Sequence, residues 1–460
     1  MSDESKLATV GFVVTIALTG GLIFWFGGGA DQEEQLEPEE ILARAAAFYE
    51  SRPYYERPHP HTEVPEGLPD LRSETCGTCH VEIYEEWSFS THRRAWLDDA
   101  QFMEELAKSR GDHAEPGEEK VDVSWLCVNC HTPLVNQLEK LVVGLEDGLV
   151  GRPIYMDNPS FDPVLQEDAI GCATCHVQDG IVYGPFGDTD APHPTARGDH
   201  LLDEANCVRC HQAEAHYIPE NMACFFTTGE EWSQSSFKEA EETCQDCHMP
   251  PVTRKLAEAF DRPERETRRH WFGGSLIPKH PDFEDEIAPL REIFGSGADV
   301  ELFLDEEAPC PDDEACRTYV VRVKNAHAGH NFPTGDPERH VDVHLRAFDE
   351  SGEEVAYEKL RIGSVYEWWP EIKLLFDNRI PAGEYLDFTM ILDAEGPART
   401  FEVVAEKFRM FEEAFEHHEL EGRYVRGRTF FEARYELEED GKPRLIEGRS
   451  DRGALIERSP

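Results

Sequence analysis

The sequence predicts an α+β chain with three parts: a single N-terminal transmembrane helix, a mostly helical and irregular segment, and a C-terminal antiparallel β-sandwich. Three observations carry this expectation. Residues Leu7 to Gly29 form one uncharged apolar run. The unit C-x-x-C-H recurs five times between Cys76 and His248. Beyond about residue 285 the chain changes to alternating apolar and polar residues, with turn signals between the runs.

The apolar run, "LATVGFVVTIALTGGLIFWFGGG", is long enough to cross a bilayer. Lys6 is the only basic residue before it, and the acidic "DQEEQLEPEE" follows. This asymmetry leaves the N-terminus inside and everything after Ala30 outside. Residues 1–30 are therefore expected to anchor a single-pass inner-membrane protein whose bulk lies in the periplasm. Gly28, Gly29 and Ala30 also form a small-residue cleavage site, so a removed signal peptide is the alternative. Residues 31–70, rich in Glu, Pro and His, read as a tether with a short helical stretch around Ile41 to Phe48.

Acidic residues (94) outnumber Lys plus Arg (44) in the 460-residue chain, for a net charge of −50. Such a surface is well solvated and suits a salty habitat, and its field steers electropositive protein partners. It excludes nucleic acid, whose phosphates require a basic surface.

Ten of the 13 cysteines fall in the repeated unit. It reads "CGTCH" (Cys76, Cys79, His80), "CVNCH" (Cys127, Cys130, His131), "CATCH" (Cys172, Cys175, His176), "CVRCH" (Cys207, Cys210, His211) and "CQDCH" (Cys244, Cys247, His248). This is the attachment signature of c-type haem. Two thiols two residues apart add to the two vinyl groups of one porphyrin, and the adjacent imidazole reaches the iron. Zinc sites pair two C-x-x-C units per metal and have no use for a histidine after every second cysteine. A disulfide framework would not repeat one spacing five times. Five covalent haem c groups are expected, attached outside the cytoplasm. Cys310 and Cys316 bracket "PDDEA" and are placed to close a small disulfide loop, while Cys224 reads as a small buried apolar side chain.

Residues 71–285 thus form a pentahaem domain whose core is largely porphyrin, with short helices and loops between. Residues 286–460 form the β-sandwich, from "RTYVVRVKN" and "HVDVHLRAFDESGEEVAYEKL" through "EYLDFTMIL" and "TFEVVAEKFRM" to "RTFFEARYELEEDGKPRLIE".

A haem with one protein ligand does chemistry, and a haem with two mostly passes electrons, so histidines outside the motifs matter. His92 follows His80 by twelve residues, roughly 18 Å if helical, and so serves a neighbouring haem. His270, in "RRHWFGGS", sits beside aromatics and a glycine pair, and His193, in "APHPTARGDH", is held between two prolines. His200 and His216 complete this group. His330, in "HAGHNFPTGD", lies on a turn that carries it from the β domain toward a haem, the alternative being a plain hairpin turn. His327, His340 and His344 read as strand residues.

The segments "CGTCHVEIYEEWSFSTH", "CATCHVQDG", "EEWSQSSFKEAEETCQDCHMP", "HWFGG" and "GHNFPTG" resemble a group of multihaem cytochromes. That group is related to the tetrahaem cytochrome c that accepts electrons from hydroxylamine oxidoreductase. The resemblance covers about residues 71 to 440. It implies packed haem pairs with mostly bis-histidine iron, and His92, His193, His270 and His330 as distal ligands. This chain has five attachment motifs where the tetrahaem relative has four.

The expected function is electron transfer along a chain of mainly bis-His haems, between redox partner proteins in a membrane electron-transfer complex. The alternative is an oxidoreductase acting on a small nitrogen or sulfur compound at one open haem, and the second motif, "WLCVNCHTPLVNQ", has no evident distal histidine. Mass spectrometry of the denatured, matured protein is expected to find five haems. A count of four or fewer would remove the pentahaem reading.

Overall fold

The computed structural model of the protein describes residues 36–112, 121–187, 189–217, 222–311, 315–368 and 370–454. The first described helix, Pro38–Glu50, starts on a proline whose missing N–H costs nothing there, and Glu39 and Glu40 in its first turn complement the helix dipole. Its buried residues Ala45 and Tyr49 pack with Trp125, Val135, Leu138, Leu141 and Val142. The hydroxyl of Tyr49 accepts a hydrogen bond from the backbone N–H of Val142 at 3.3 Å. This part of the acidic 31–70 stretch is therefore integrated into a core.

Every C-x-x-C-H unit lies on or at the end of a short helix: Ser73–Gly77, Ser124–His131, Cys172–His176, Ala205–His211 and Cys244–His248. Positions i, i+3 and i+4 share one side of a helical turn, so both thiols and the imidazole face the same way. Short antiparallel hairpins accompany these helices, Ala213–Tyr217 with Met222–Phe226 between the fourth and fifth and Pro251–Arg254 with Arg265–Arg268 after the fifth. The apolar side chains of this half form several small clusters rather than one core.

The C-terminal half is built from β1 (Asp299–Asp305), β2 (Cys316–Lys324), β3 (His340–Phe348), β4 (Glu354–Glu367) and β5 (Lys373–Asp377). It continues with β6 (Tyr385–Asp393), β7 (Thr400–Phe408), β8 (Gly427–Leu437), β9 (Pro443–Ser450) and β10 (Gly453–Ala454). One sheet has the order β1-β2-β6, the other β5-β4-β3-β7-β8-β9-β10, with all neighbours antiparallel. The β3–β4 turn follows from "DESG": Asp349 Oδ1 accepts from the N–H groups of Ser351 and Glu353, and Gly352 takes a φ of 82°. Alternation along the strands sends Tyr319, Val321 and Val323 of β2, Val341, Val343 and Leu345 of β3, and Phe401, Val403 and Ala405 of β7 into one buried cluster. The rings of Tyr319 and Phe401 meet across the two sheets with centroids 4.5 Å apart. Cys310 and Cys316 form a disulfide at the entry to β2.

The expected fold class and location need correction. Among the described residues no helix is long and apolar enough to cross a membrane, which conflicts with the expected transmembrane helix and single-pass inner-membrane location and leaves the membrane unsupported as a partner. Leu7 to Gly29, on which that reading rested, lie outside the described residues. The described chain is mixed helix and strand with a sheet-rich C-terminal region, and short hairpins run even between the motif helices.

Because Phe401 fills the interior between the sheets, Phe401→Ala is expected to cost about 3–5 kcal/mol of unfolding free energy. Denaturant titration checks it; a loss below about 1 kcal/mol would mean that the two sheets do not depend on this contact.

Candidate haem centres

A continuous cavity of about 2350 Å³ runs through the motif-bearing half and is lined by all ten motif cysteines and all five motif histidines. Protein interiors do not sustain empty space on this scale. None of the ten thiols is in a disulfide. The motifs are close neighbours: the Cys76 thiol lies against Cys172, Cys130 against Cys210, and Cys207 against Cys244. Cys175 also lies near Cys207 and Cys210. The fourth motif therefore adjoins the second, third and fifth, and the first adjoins the third.

Backbone carbonyls orient four of the five motif imidazoles. Nδ1–H of His80 donates to Leu256 O at 2.6 Å, His131 to Ala95 O at 2.6 Å, His176 to Tyr183 O at 2.8 Å, and His248 to Gly273 O. A carbonyl only accepts, so Nδ1 carries the proton and Nε2 is left with its lone pair for a metal. Outside the motifs, His270 and His330 are held alike, by Arg268 O and Asn331 O, each at 2.9 Å.

Three imidazole pairs face each other across the cavity. Ring centroids are 6.4 Å apart for His92 and His211, 6.2 Å for His176 and His270, and 6.3 Å for His248 and His330. A metal–imidazole bond is about 2 Å and the ring centre lies about 1 Å behind its nitrogen, so two rings on one ion stand roughly 6 Å apart. The spacing fits a single ion in each gap. Burial first, and then the facing imidazole, holds His92 and His270 at about 3, in the neutral form that ligates metal. His92 thus faces the histidine of the fourth motif and not that of its own.

The run 270–273 serves three of these positions. His270 faces His176. Phe272, at a φ of 49°, packs between His92 (4.4 Å) and His270 (5.7 Å). Gly273 orients His248, and a Cβ there would lie 2.4 Å from the Phe294 ring, so only glycine fits. Glu86, buried on the helix after the first motif, fixes this run by accepting from His270 N–H at 2.9 Å, from Arg254 at 2.8 Å and from Arg269.

The loop bearing His330 is fixed from both halves. Asn325 Nδ2 donates to His330 O at 2.7 Å and to Ile380 O at 2.9 Å. Glu231, on helix Thr228–Ser233, accepts from Asn331 N–H (3.2 Å), the Thr334 hydroxyl (2.5 Å) and Arg379 Nη1 (2.7 Å). Gly335, at a φ of 96°, supplies the turn, and the flat ring beside Gly329 is Phe237.

The remaining candidates are placed differently. His193 lines the cavity, with Nδ1 at 3.4 Å from Pro194 O, and among the described residues no ring stacks on it. His200 packs edge-on to Tyr183 at 5.8 Å and does not line the cavity. His216 lies on strand Ala213–Tyr217, opposite Ala223. Among the described residues no imidazole faces His80 or His131 at the spacing of the three pairs; the Phe102 ring stacks on His131 at 3.5 Å. Cys224 lies beside Cys127 and Cys210 on the cavity wall. Sequence reasoning missed His59 within the Pro-rich stretch. It lines the cavity, and burial, then Arg209 and His200, hold it at about 3.

Residues 75–149 match the family described as cytochrome c554 and c-prime. Among solved structures the chain is similar to a penta-heme cytochrome c552 from Thermochromatium tepidum. The TM-score is 0.54 at 16% identity over 79% of this chain and 98% of that one, which establishes a shared fold. Northeast Structural Genomics Consortium target SoR45 matches 34% of this chain and 84% of its own at 11% identity, with a TM-score of 0.13, and carries no argument. Among curated proteins none matches the chain. The family match, the shared fold and the cavity lined by the cysteine-histidine motifs support a multihaem c-type cytochrome with covalently bound haem c, whose general chemistry is electron transfer with redox partner proteins.

Proposed function

We propose that the chain is a pentahaem electron-transfer cytochrome, with a haem at each of Cys76/Cys79, Cys127/Cys130, Cys172/Cys175, Cys207/Cys210 and Cys244/Cys247. The iron of each haem supplies one-electron redox chemistry; the protein supplies attachment, axial ligands, spacing and exclusion of water. His80, His131, His176, His211 and His248 are the proximal ligands. The spacing of the three imidazole pairs carries the reading, making His92, His270 and His330 the distal ligands for the irons at His211, His176 and His248. His193, on the cavity wall, is the distal candidate that remains. His200, off that wall, is left without a ligand role, while His216 keeps the candidacy that the sequence gives it. Two imidazoles on one iron favour a low potential, and axial ligation is a principal lever on that potential.

The neighbouring thiols support an electron path from the first motif through the third to the fourth, where it branches to the second and the fifth. The division into a haem segment and a sheet segment is read functionally as well. His330 is the haem ligand the sheet half contributes, so electron transfer and the joint between the halves depend on one loop.

One observation favours a second reading, an oxidoreductase of small nitrogen or sulfur compounds: His131 faces no imidazole among the described residues. Sustained turnover of nitrite or hydroxylamine at about 1 per second or faster would favour it over pure electron transfer.

His330→Ala tests the primary reading. One haem is expected to change from six- to five-coordinate and to gain carbon monoxide binding that the parent lacks at that position, while the other spectra hold. His327→Ala is the control, since that ring lies on the same loop but engages Arg452 and Asp299 instead. Unchanged spectra in His330→Ala would reduce the loop to a turn.

A further inference from the structure

The larger sheet ends on β5, whose sequence is "KLLFD". All five of its residues are exposed, Leu374, Leu375 and Phe376 to 47%, 57% and 53%. β4 pairs with one side of it, from Ser364 opposite Asp377 to Glu367 opposite Lys373, and a bulge leaves Leu375 with no β4 residue opposite. Among the described residues no strand pairs with the other side. A bare edge is a template for another strand, and folded proteins usually blunt it with charge along the strand or with a covering element. Here charge stands only at the two ends. Between them three consecutive large apolar side chains meet water, where scattered single ones would be ordinary. Val365, opposite Phe376, and Trp368 extend the apolar strip.

The order of the residues says what covers it. Two copies of β5 laid antiparallel about an axis at Leu375 set Lys373 against Asp377 at both ends. Leu374 then meets Phe376, and Leu375 meets its own copy. Every position finds its match within the same five residues, which is the self-complementarity a two-fold contact demands. Opposite charges and apolar side chains facing each other are the favourable pairs across antiparallel strands. Arg379 holds the Asp377 carboxylate at 2.8 Å, so that end is oriented in advance. The strand carries one cation and one anion, and so offers no net field to a foreign partner of either sign.

We infer that β5 is the surface through which two copies of this chain associate, edge to edge about a two-fold axis at Leu375. The contact also borders the cavity. Trp368 and Ile372, just before β5, line it, and the rings of Phe225, Tyr366 and Trp368 stack in series with centroids 5.2 Å apart. Association through β5 therefore puts the joint beside the cavity of each copy, whatever number of haems each one holds.

Sedimentation equilibrium of the haem-loaded full chain, with Leu375→Lys, Lys373→Glu and Ile154→Lys, tests the contact. Ile154, 49% exposed on the strand Pro153–Asp157 of the motif half, is the control. Salt near 1 M screens over about 3 Å, which suppresses the long-range repulsion between two chains of net charge −50 while groups in contact still act. The parent is expected to form a dimer and nothing larger, since a two-fold contact closes on itself. Leu375→Lys sets two cations against each other on the axis, and Lys373→Glu sets a carboxylate against Asp377. Each is expected to weaken the dimer at least about tenfold, and Ile154→Lys to leave it unchanged. All three substitutions fall at exposed positions, and haem spectra matching the parent show that the fold is kept. The two-fold contact is ruled out if the parent stays monomeric at roughly 100 μM, far above the dissociation constant of a specific complex, or grows beyond a dimer. It is equally ruled out if Leu375→Lys or Lys373→Glu dimerises as tightly as the parent, or if Ile154→Lys weakens the dimer as much as they do.

Discussion

The motif-bearing half of this protein does not close on itself, and that constraint governs the rest of the structure. Its apolar side chains make small separate clusters around a cavity of about 2350 Å³. Side chains alone leave such a volume open, at a cost no domain of modest stability withstands. The five helical turns that carry the cysteines aim thiols and imidazoles at that volume. The carbonyls of Leu256, Ala95, Tyr183 and Gly273 then fix which imidazole nitrogen faces it. Covalent haem is the group that such a surface is made to surround.

The sheet half is organised on the opposite principle. Its strands bury a single continuous cluster between two antiparallel sheets, with Tyr319 and Phe401 in contact across it. The loop 327–335 runs between its strands β2 and β3. Glu231 shows how the halves are joined: a nearly buried carboxylate from a helix of the motif half receives hydrogen bonds from Asn331, Thr334 and Arg379. A carboxylate so placed is worth most where water is excluded. It holds the His330 ring with its centroid 6.3 Å from that of His248.

The short run 270–273 shows how densely function is packed where the cavity is the core. A ring facing His176, an aromatic wedge between two imidazoles and a carbonyl on His248 come from four consecutive residues, held from outside by Glu86. The strained backbone of Phe272 and the obligatory glycine at 273 are the local consequence of that crowding.

By itself the sequence determined what depends on near neighbours in the chain. The i, i+3, i+4 spacing of cysteines and histidine needs only one helical turn, and the strands at 340–348 and 400–408 announce themselves by alternation. "DESG" is a turn for reasons contained in Asp349 and Gly352. The run at Leu7 to Gly29 suggested a membrane span; no described helix provides one, and the run itself lies outside the described residues. Which imidazole faces which was decided only by tertiary structure, because His92 and His211, or His248 and His330, are brought together by packing over long stretches of chain. The same holds for His59, whose place on the cavity wall is hidden in a proline-rich stretch that looks like a linker. In sequence Leu374, Leu375 and Phe376 look like the middle of any core strand. Only the fold sets them at the edge of a sheet, and that position leaves their apolar side chains in water.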